Sequence, residues 1–240
     1  MTSQQSSLGH LPGTKWEFDS SVTHVFEDML QRSIPNYLEM RQLTRAIAKR
    51  FHQPETYVVD LGCSLGSAIA ELVEELSADA RFLGCEVSEP MRTEATRRFG
   101  KLIDSGKVTI SDTDLRTDYP DVSASVTLCV LTLMFVPMEY RQRIVQDAWA
   151  QTVPGGVFLM VEKILGDNAV VDELLTGMYL DWKASQGYSQ EEIDRKRLAL
   201  EGVQVPITAN WNDQLLRRAG FQHVDCYWRS GKFAGWLAIK

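Results

Sequence analysis

The chain has 240 residues, 44% hydrophobic and 24% charged, a balance that supports an ordinary globular core and excludes collagen, coiled coil and wholesale disorder. Thirty-two acidic against twenty-five basic residues leave a net charge of −7, so direct nucleic-acid binding is not expected. The longest apolar run, near 126–136, falls short of the ~20 residues a membrane span requires, so no membrane partner is expected either.

Residues 1–15 are polar, without an apolar core or an early basic cluster, and read as a flexible leader. The expected compartment is therefore the cytoplasm. Cys63, Cys85, Cys129 and Cys226 show no CxxC spacing and read as buried free thiols. Apolar periodicity predicts helices over 20–32 and 36–51, separated by Pro35. Beyond them strands at 57–60, 81–86, 107–112, 125–131 and 156–163 alternate with helices at 66–76, 89–101 and 138–150. Such alternation requires crossover connections and a mostly parallel sheet with helices on both faces. A polar-apolar helical stretch over 167–202, with a capping-box signal at 189–192, interrupts the pattern and reads as a lid. A helix at 211–219 closed by Gly220 follows, then strands at 221–229 and 233–239 whose turn is so short that they pair antiparallel. The expected architecture is α/β: a doubly wound, mostly parallel, seven-stranded sheet with an antiparallel last strand. It forms one domain over 16–240, with an N-terminal helical cap (16–52) and a helical lid (167–202).

The segment VVDLGCSLGSA (58–68) places Gly62, Cys63, Ser64 and Gly66 between the first strand and its helix, where missing Cβ atoms let a ligand approach backbone amides. Such a loop is also a common tight turn. Glu86, followed by Val87, ends the second strand, where an acid can accept hydrogen bonds from both hydroxyls of a ribose. A dinucleotide site wants three glycines under its pyrophosphate. Here Ser64 stands mid-loop, and Asp60 before it would repel a pyrophosphate while suiting a cationic, amino-acid-bearing nucleoside. The pattern points to S-adenosylmethionine (SAM). Asp114, with the Leu115 amide beside it, is placed to meet the adenine edge, and VPGG (153–156) supplies the turn before the fifth strand.

With these motifs in place, the chain resembles the carboxy-SAM synthase family, of the Rossmann-like class I SAM-dependent methyltransferase fold. The resemblance runs from about residue 16 to the end. It rests on FEDMLQRSIPNY (26–37), VVDLGCSLGS (58–67), TLMF (132–135), DWKASQGYS (181–189), KR (196–197) and FA (233–234), with shorter matches at 141–142, 154–156 and 162–163. Members of that family make carboxy-SAM from SAM and prephenate for wobble-uridine modification of tRNA. The resemblance implies Tyr37 near the methionine moiety, Gly62 and Ser64 as loop contacts, Glu86 in place of an Asp at the ribose, and Asp114 at adenine. It also implies that Arg197 holds the carboxylate of the transferred group, and that the chain forms a homodimer. Two positions depart from the family: Val130 or its neighbour stands for an Asn at the end of the fourth strand, and Met134 for a Gln. Losing two polar groups should change what the pocket recognises.

Group transfer from SAM needs the attacking atom aligned and water excluded. Aromatic faces stabilise a sulfonium charge, and Tyr37, Tyr179, Trp182 and Tyr188 are the expected set, with Tyr37, Tyr179 and Arg197 carrying the chemistry. His10, His24, His52 and His223 are scattered, so no metal is expected. Glu162 and Lys163 read either as functional or as an internal ion pair. Four outcomes fit: methyl or related transfer to a small molecule, carboxy-SAM synthesis, cyclisation of SAM itself to azetidine-2-carboxylate and methylthioadenosine, or a catalytically silent SAM-binding subunit.

Overall fold

The computed structural model describes residues 15–240. The leader expected over 1–15, with His10 in it, lies outside the described residues except for Lys15. Helix α1 (Ser20–Ser33) starts where the Asp19 carboxylate accepts from Val22 N at 3.0 Å, and it buries Val22, Phe26 and Met29. Pro35 breaks the helical run, Asn36 turns left-handed, and α2 (Tyr37–Phe51) follows with Met40, Thr44 and Ala48 inward.

The alternating section forms β1 (Tyr57–Leu61), α3 (Ser67–Val73), β2 (Arg81–Cys85), α4 (Glu89–Asp104), β3 (Val108–Ser111) and β4 (Ala124–Val130). After a 3-10 turn at Leu133–Phe135 come α5 (Met138–Gln151) and β5 (Thr152–Leu165). The chain ends with α6 (Ala169–Ser185), α7 (Gln190–Leu200), β6 (Ile207–Thr208), α8 (Ala209–Ala219), β7 (His223–Ser230) and β8 (Phe233–Ile239). The strands lie in the order β3-β2-β1-β4-β5-β8-β7, with β1 to β5 parallel and the β7–β8 hairpin antiparallel. Strand order reverses between β1 and β4, so the carboxyl ends of these two strands diverge into a crevice.

One strand was not expected. β4 ends opposite Val161, whereas β5 continues to Leu165 and leaves backbone groups unpaired on that side. The two-residue β6 takes up this edge, Ile164 opposite Ile207 and Leu165 opposite Thr208, making the sheet eight-stranded.

Side chains alternate across the sheet. Val59, Leu61, Phe158 and Met160 pack with Ile144 and Leu216 from α5 and α8, while Val58, Phe82, Leu128 and Leu159 pack with Ile69 and Phe99 from α3 and α4. Burying each such side chain is worth ~1.5–3 kcal/mol. In the 167–202 stretch, α6 and α7 meet at Gly187–Tyr188, and the capping box closes as expected between Ser189 and Glu192. Both helices return to α1: on α6 the hydroxyl of Tyr179 donates to Ser33 O at 2.8 Å, and on α7 Lys196 Nζ donates to Ser33 Oγ at 3.2 Å. The thiols of Cys63, Cys85 and Cys129 are buried, but Cys226 is exposed, because β7 is the sheet's edge strand.

Candidate active site

The carboxyl ends of the central strands open into a cavity of about 490 Å³, inside the ~300–1,000 Å³ range of sites that enclose small ligands. Its roof is apolar: Trp16, Phe18, Phe26 and Met29 from the N-terminal segment, with Leu200 and Val203 after α7. Its floor is the loop after β1. Gly62, Ser64 and Gly66 all adopt left-handed backbone, with φ of 76°, 49° and 74°, but Gly66, expected to contact the cofactor, does not line the cavity: the place of a Cβ there is taken by the Phe99 ring of α4. A Cβ on Gly62 would lie 2.5 Å from Thr132 Oγ1, whose hydroxyl donates to Leu61 O at 2.8 Å. The loop is thereby locked against the turn after β4.

Ser64 holds its left-handed conformation without the freedom of glycine. What fixes it is Glu86, whose carboxylate accepts from Ser64 N at 2.9 Å and from Ser88 N at 2.7 Å. Burial pushes the Glu86 carboxyl up, against the pull of these two amides. Asp60, 4% exposed at the end of β1, is pushed to about 7 by burial and by Glu86, opposed only by Arg41. Cys63, Val87, Asp114, Leu115 and Val130 also line the cavity. Asp114 already has a partner: Arg116 Nη2 stands 2.6 Å from its Oδ2 and holds the carboxyl below its ordinary value.

The opposite end, at β5 and α7, is cationic. Lys163 Nζ donates to Gln204 Oε1 at 3.0 Å and lies 5.2 Å from the Tyr179 ring centre. Lys196 Nζ donates to Ser33 Oγ at 3.2 Å and faces the rings of Trp16 and Tyr188 at 5.1 and 5.8 Å. Lys183 lies behind them, 4.8 Å from the Tyr188 ring. Burial, reinforced for Lys163 and Lys196 by neighbouring cations, lowers Lys163 and Lys183 to about 8 and Lys196 to about 7. None of the three forms an ion pair among the described residues. The acids that act on them from a distance are committed elsewhere, Asp172 to Lys232 at 2.8 Å and Glu192 to the cap of α7.

This arrangement has relatives. A family model described as a methyltransferase domain matches residues 58–156. Over the whole of both chains, the protein is 35% identical to the carboxy-S-adenosyl-L-methionine synthase of Shewanella amazonensis. The chain belongs to the carboxy-SAM synthase family. Two solved structures share the fold. An O-methyltransferase family protein from Burkholderia thailandensis has a TM-score of 0.66 at 14% identity, covering 93% of this chain and 60% of that one. A SAM-dependent methyltransferase from Aquifex aeolicus has a TM-score of 0.58 at 15% identity, covering 93% and 99%.

SAM is the cofactor, and the residues present fit it. Its ribose needs a rigid acceptor for two hydroxyls, its base an apolar slot and its ammonium a carboxylate. Glu86 is anchored by two amides, Val87 and Leu115 offer apolar surface, and Asp60 is a buried carboxylate with no hydrogen bond among the described residues.

Several expected residues stand elsewhere. Arg197 does not line the cavity of this carboxy-SAM synthase family member: it is 64% exposed and lies 3.7 Å from Asp194. Successive helical residues point about 100° apart, so α7 turns Lys196 inward and Arg197 out. Tyr179 is also displaced from the lining, its hydroxyl engaged by Ser33 O and its ring packed on Phe233 at 5.7 Å. Trp182 stacks on Tyr179, and Tyr188 lies among the lysines, so of the four expected aromatics Tyr37 alone lines the cavity. Glu162 and Lys163 do not pair with each other, being neighbours on a strand and facing opposite ways. The Glu162 carboxylate, pushed to about 8 by burial, accepts from Leu133 N at 2.9 Å. Lys196 and Arg41 escaped the sequence reading. Arg41 carries a legible signal, since it follows Tyr37 by one helical turn.

Proposed function

We propose that this chain is a SAM-dependent enzyme that acts with a small, carboxylate-bearing molecule in methyl or related group transfer. The observation that carries the reading is the pair Lys163 and Lys196, two buried cations on the cavity wall without an ion-pair partner among the described residues. When bound, SAM supplies an electrophilic carbon attached to a sulfonium. Glu86 holds the ribose hydroxyls, Asp114 and the Leu115 amide meet the base, and Tyr37 presents its ring to positive charge. Phe18, Met134 and Leu200 exclude water, and the two lysines bind and orient the carboxylate, which places the reacting atoms without a dedicated base.

The test is to incubate the purified protein with SAM alone and with small carboxylates, prephenate among them, and to identify products by mass spectrometry. S-adenosylhomocysteine or carboxy-SAM formed only with an added acid supports the reading. Methylthioadenosine from SAM alone would replace it with intramolecular cyclisation, and SAM binding without turnover would make the chain a silent subunit.

The lysines give the reaction a pH signature. A bound anion favours their charged forms, whereas in the ligand-free fold they titrate at about 7 and about 8. The KM for the carboxylate should rise about tenfold or more between roughly pH 7 and 9, while the affinity for S-adenosylhomocysteine changes less. A flat KM across that range would remove the lysines from substrate binding.

At the other end, Asp114→Ala should weaken S-adenosylhomocysteine about three- to tenfold, a modest loss because the carboxylate is partly solvated. Arg116→Ala frees that carboxylate and should not weaken binding; calorimetry showing the reverse order would displace Asp114 from the base. The reading extends to a cytoplasmic homodimer that does not bind nucleic acid. The buried thiols and the net charge support the compartment and the absence of a polyanion partner. Exposed Val170, Leu174, Met178 and Leu198 on α6 and α7 supply an apolar face, and light scattering tests the dimer.

A further inference from the structure

Arg41 is a cation in an unusual place. It lies on α2, one turn after Tyr37, and lines the cavity with a side chain only 13% exposed. Its Nη2 stands 2.8 Å from Glu71 Oε1 on α3, yet the contact lacks the alignment of a hydrogen bond, and Nη2 is buried without such a partner. Facing it across the same wall are the Tyr37 hydroxyl and Asp60. Asp60 shares the sheet face of Val58, toward α2 and α3, and its carboxylate meets burial, the field of Arg41 and the field of Glu86 with no hydrogen bond among the described residues. A buried carboxylate without a hydrogen bond among the described residues and a buried guanidinium whose ion-pair partner is Glu71 therefore line the same end of the cavity, within each other's field.

The order of the strands says which end this is. Glu86, Val87 and Asp114 follow β2 and β3, on one side of β1, and they suit the nucleoside. Asp60, Tyr37 and Arg41 lie over β1 toward β4, where the chain of a nucleoside threaded past Gly62 must continue. An α-amino acid carries an ammonium and a carboxylate on one carbon, and the complement of that zwitterion is a carboxylate beside a guanidinium. On the reading that the cavity takes SAM with Asp60 at its α-ammonium, we propose that Arg41 binds the α-carboxylate of the methionine portion. The raised carboxyl of Asp60 is consistent with this, since a bound ammonium would supply the counter-charge it lacks. The clamp also selects. Nucleosides that share the adenosine but lack the amino acid forgo both contacts, and the buried Asp60 carboxylate then stays without a hydrogen-bond partner among the described residues.

Calorimetry with S-adenosylhomocysteine and methylthioadenosine tests the assignment. Arg41→Met should weaken S-adenosylhomocysteine about 10- to 100-fold, the loss expected of one charge-assisted contact, and leave methylthioadenosine within about threefold. Asp60→Asn should discriminate in the same direction. Unchanged S-adenosylhomocysteine binding, or an equal loss for both nucleosides, would overturn the assignment. A measurement that needs no variant guards against misfolding: the wild-type protein should prefer S-adenosylhomocysteine over its decarboxylated analogue by about 10- to 100-fold, and equal affinities would sink the Arg41 contact. If the wild type bound neither S-adenosylhomocysteine nor methylthioadenosine, the SAM reading itself would fall and the clamp with it, a result distinct from binding without discrimination.

Discussion

Glu86→Ala should reduce the affinity for S-adenosylhomocysteine by about 10²- to 10³-fold while lowering stability by less than about 2 kcal/mol. The asymmetry follows from what the carboxylate does in each state. In the ligand-free protein it satisfies Ser64 N and Ser88 N, but it is itself desolvated, so its removal returns part of what those amides lose. The nucleoside gains no such return. It loses a charged acceptor for its ribose hydroxyls, worth ~1.5–3 kcal/mol. It also meets a loop in which Ser64, at φ 49°, is no longer held, and re-ordering one residue costs a further ~1–2 kcal/mol. Together these amount to roughly two to three decades of affinity. Glu86→Gln should fall between, because its amide can accept from one backbone N–H but turns a donor toward the other. Glu86→Asp, one methylene shorter, should reach one of the two amides and bind least differently from wild type. Titration calorimetry run beside thermal melting separates the two effects, and an alanine variant within threefold of wild type would show that the ribose is held elsewhere.

The same residues show what a chain of letters can and cannot convey. The acid after β2 and the glycines before α3 are legible because strand and helix periodicities pin them to the crevice edge, whatever the rest of the protein does. The hairpin of β7 and β8 is legible for a local reason too, since a turn as short as Ser230–Lys232 permits nothing else. β6 is not: Ile207 and Thr208 have no periodicity of their own, and they pair only because β5 overruns its neighbour. The 167–202 stretch is less legible, for a more instructive reason. Similarity places a Lys-Arg pair at 196–197, but which of the two enters the cavity depends on how α7 rotates against α1 and the segment before it, where Lys196 Nζ donates to Ser33 Oγ at 3.2 Å and Trp16 N to Ala199 O at 2.9 Å. Tyr179 is apolar enough to read as a cavity wall. Its hydroxyl instead finds a carbonyl at Ser33, 146 residues away, a partner that spacing along the chain cannot disclose.

Lysine is the residue for which ordinary expectation errs most here, since composition alone assigns it to solvent. Lys183 is 5% and Lys196 8% exposed, and removing one of them should stabilise the protein. Lys196→Met keeps an unbranched side chain of similar length against Trp16 and Tyr188, removes a buried charge that Lys183, Arg32 and Lys163 repel, and gives up one hydrogen bond to Ser33 Oγ. Replacing buried charge by a well-packed apolar group is commonly worth ~1–4 kcal/mol, and at ~2–4 °C per kcal/mol for a chain of this size the expected rise in Tm is about 2–16 °C. The pH dependence identifies the cause. Lys196 titrates at about 7 in the fold against its ordinary 10.5. Between those values the unfolded chain binds more protons than the native one, so wild-type stability climbs with pH across that window and is lost as pH falls through about 7. Asp60 and Glu162, raised to about 7 and about 8, act with the opposite sign, losing stability as pH rises from their ordinary values toward those points. The ligand-free protein should therefore be least stable near pH 7 to 8, and the Met variant should show a shallower climb above it. The same substitution should raise the KM for the carboxylate substrate about 10- to 100-fold, leaving the affinity for S-adenosylhomocysteine within about threefold. A variant that melts lower than wild type at pH 7, with its substrate KM unchanged, would mean that Lys196 is a supporting strut and not a site kept charged for an anion.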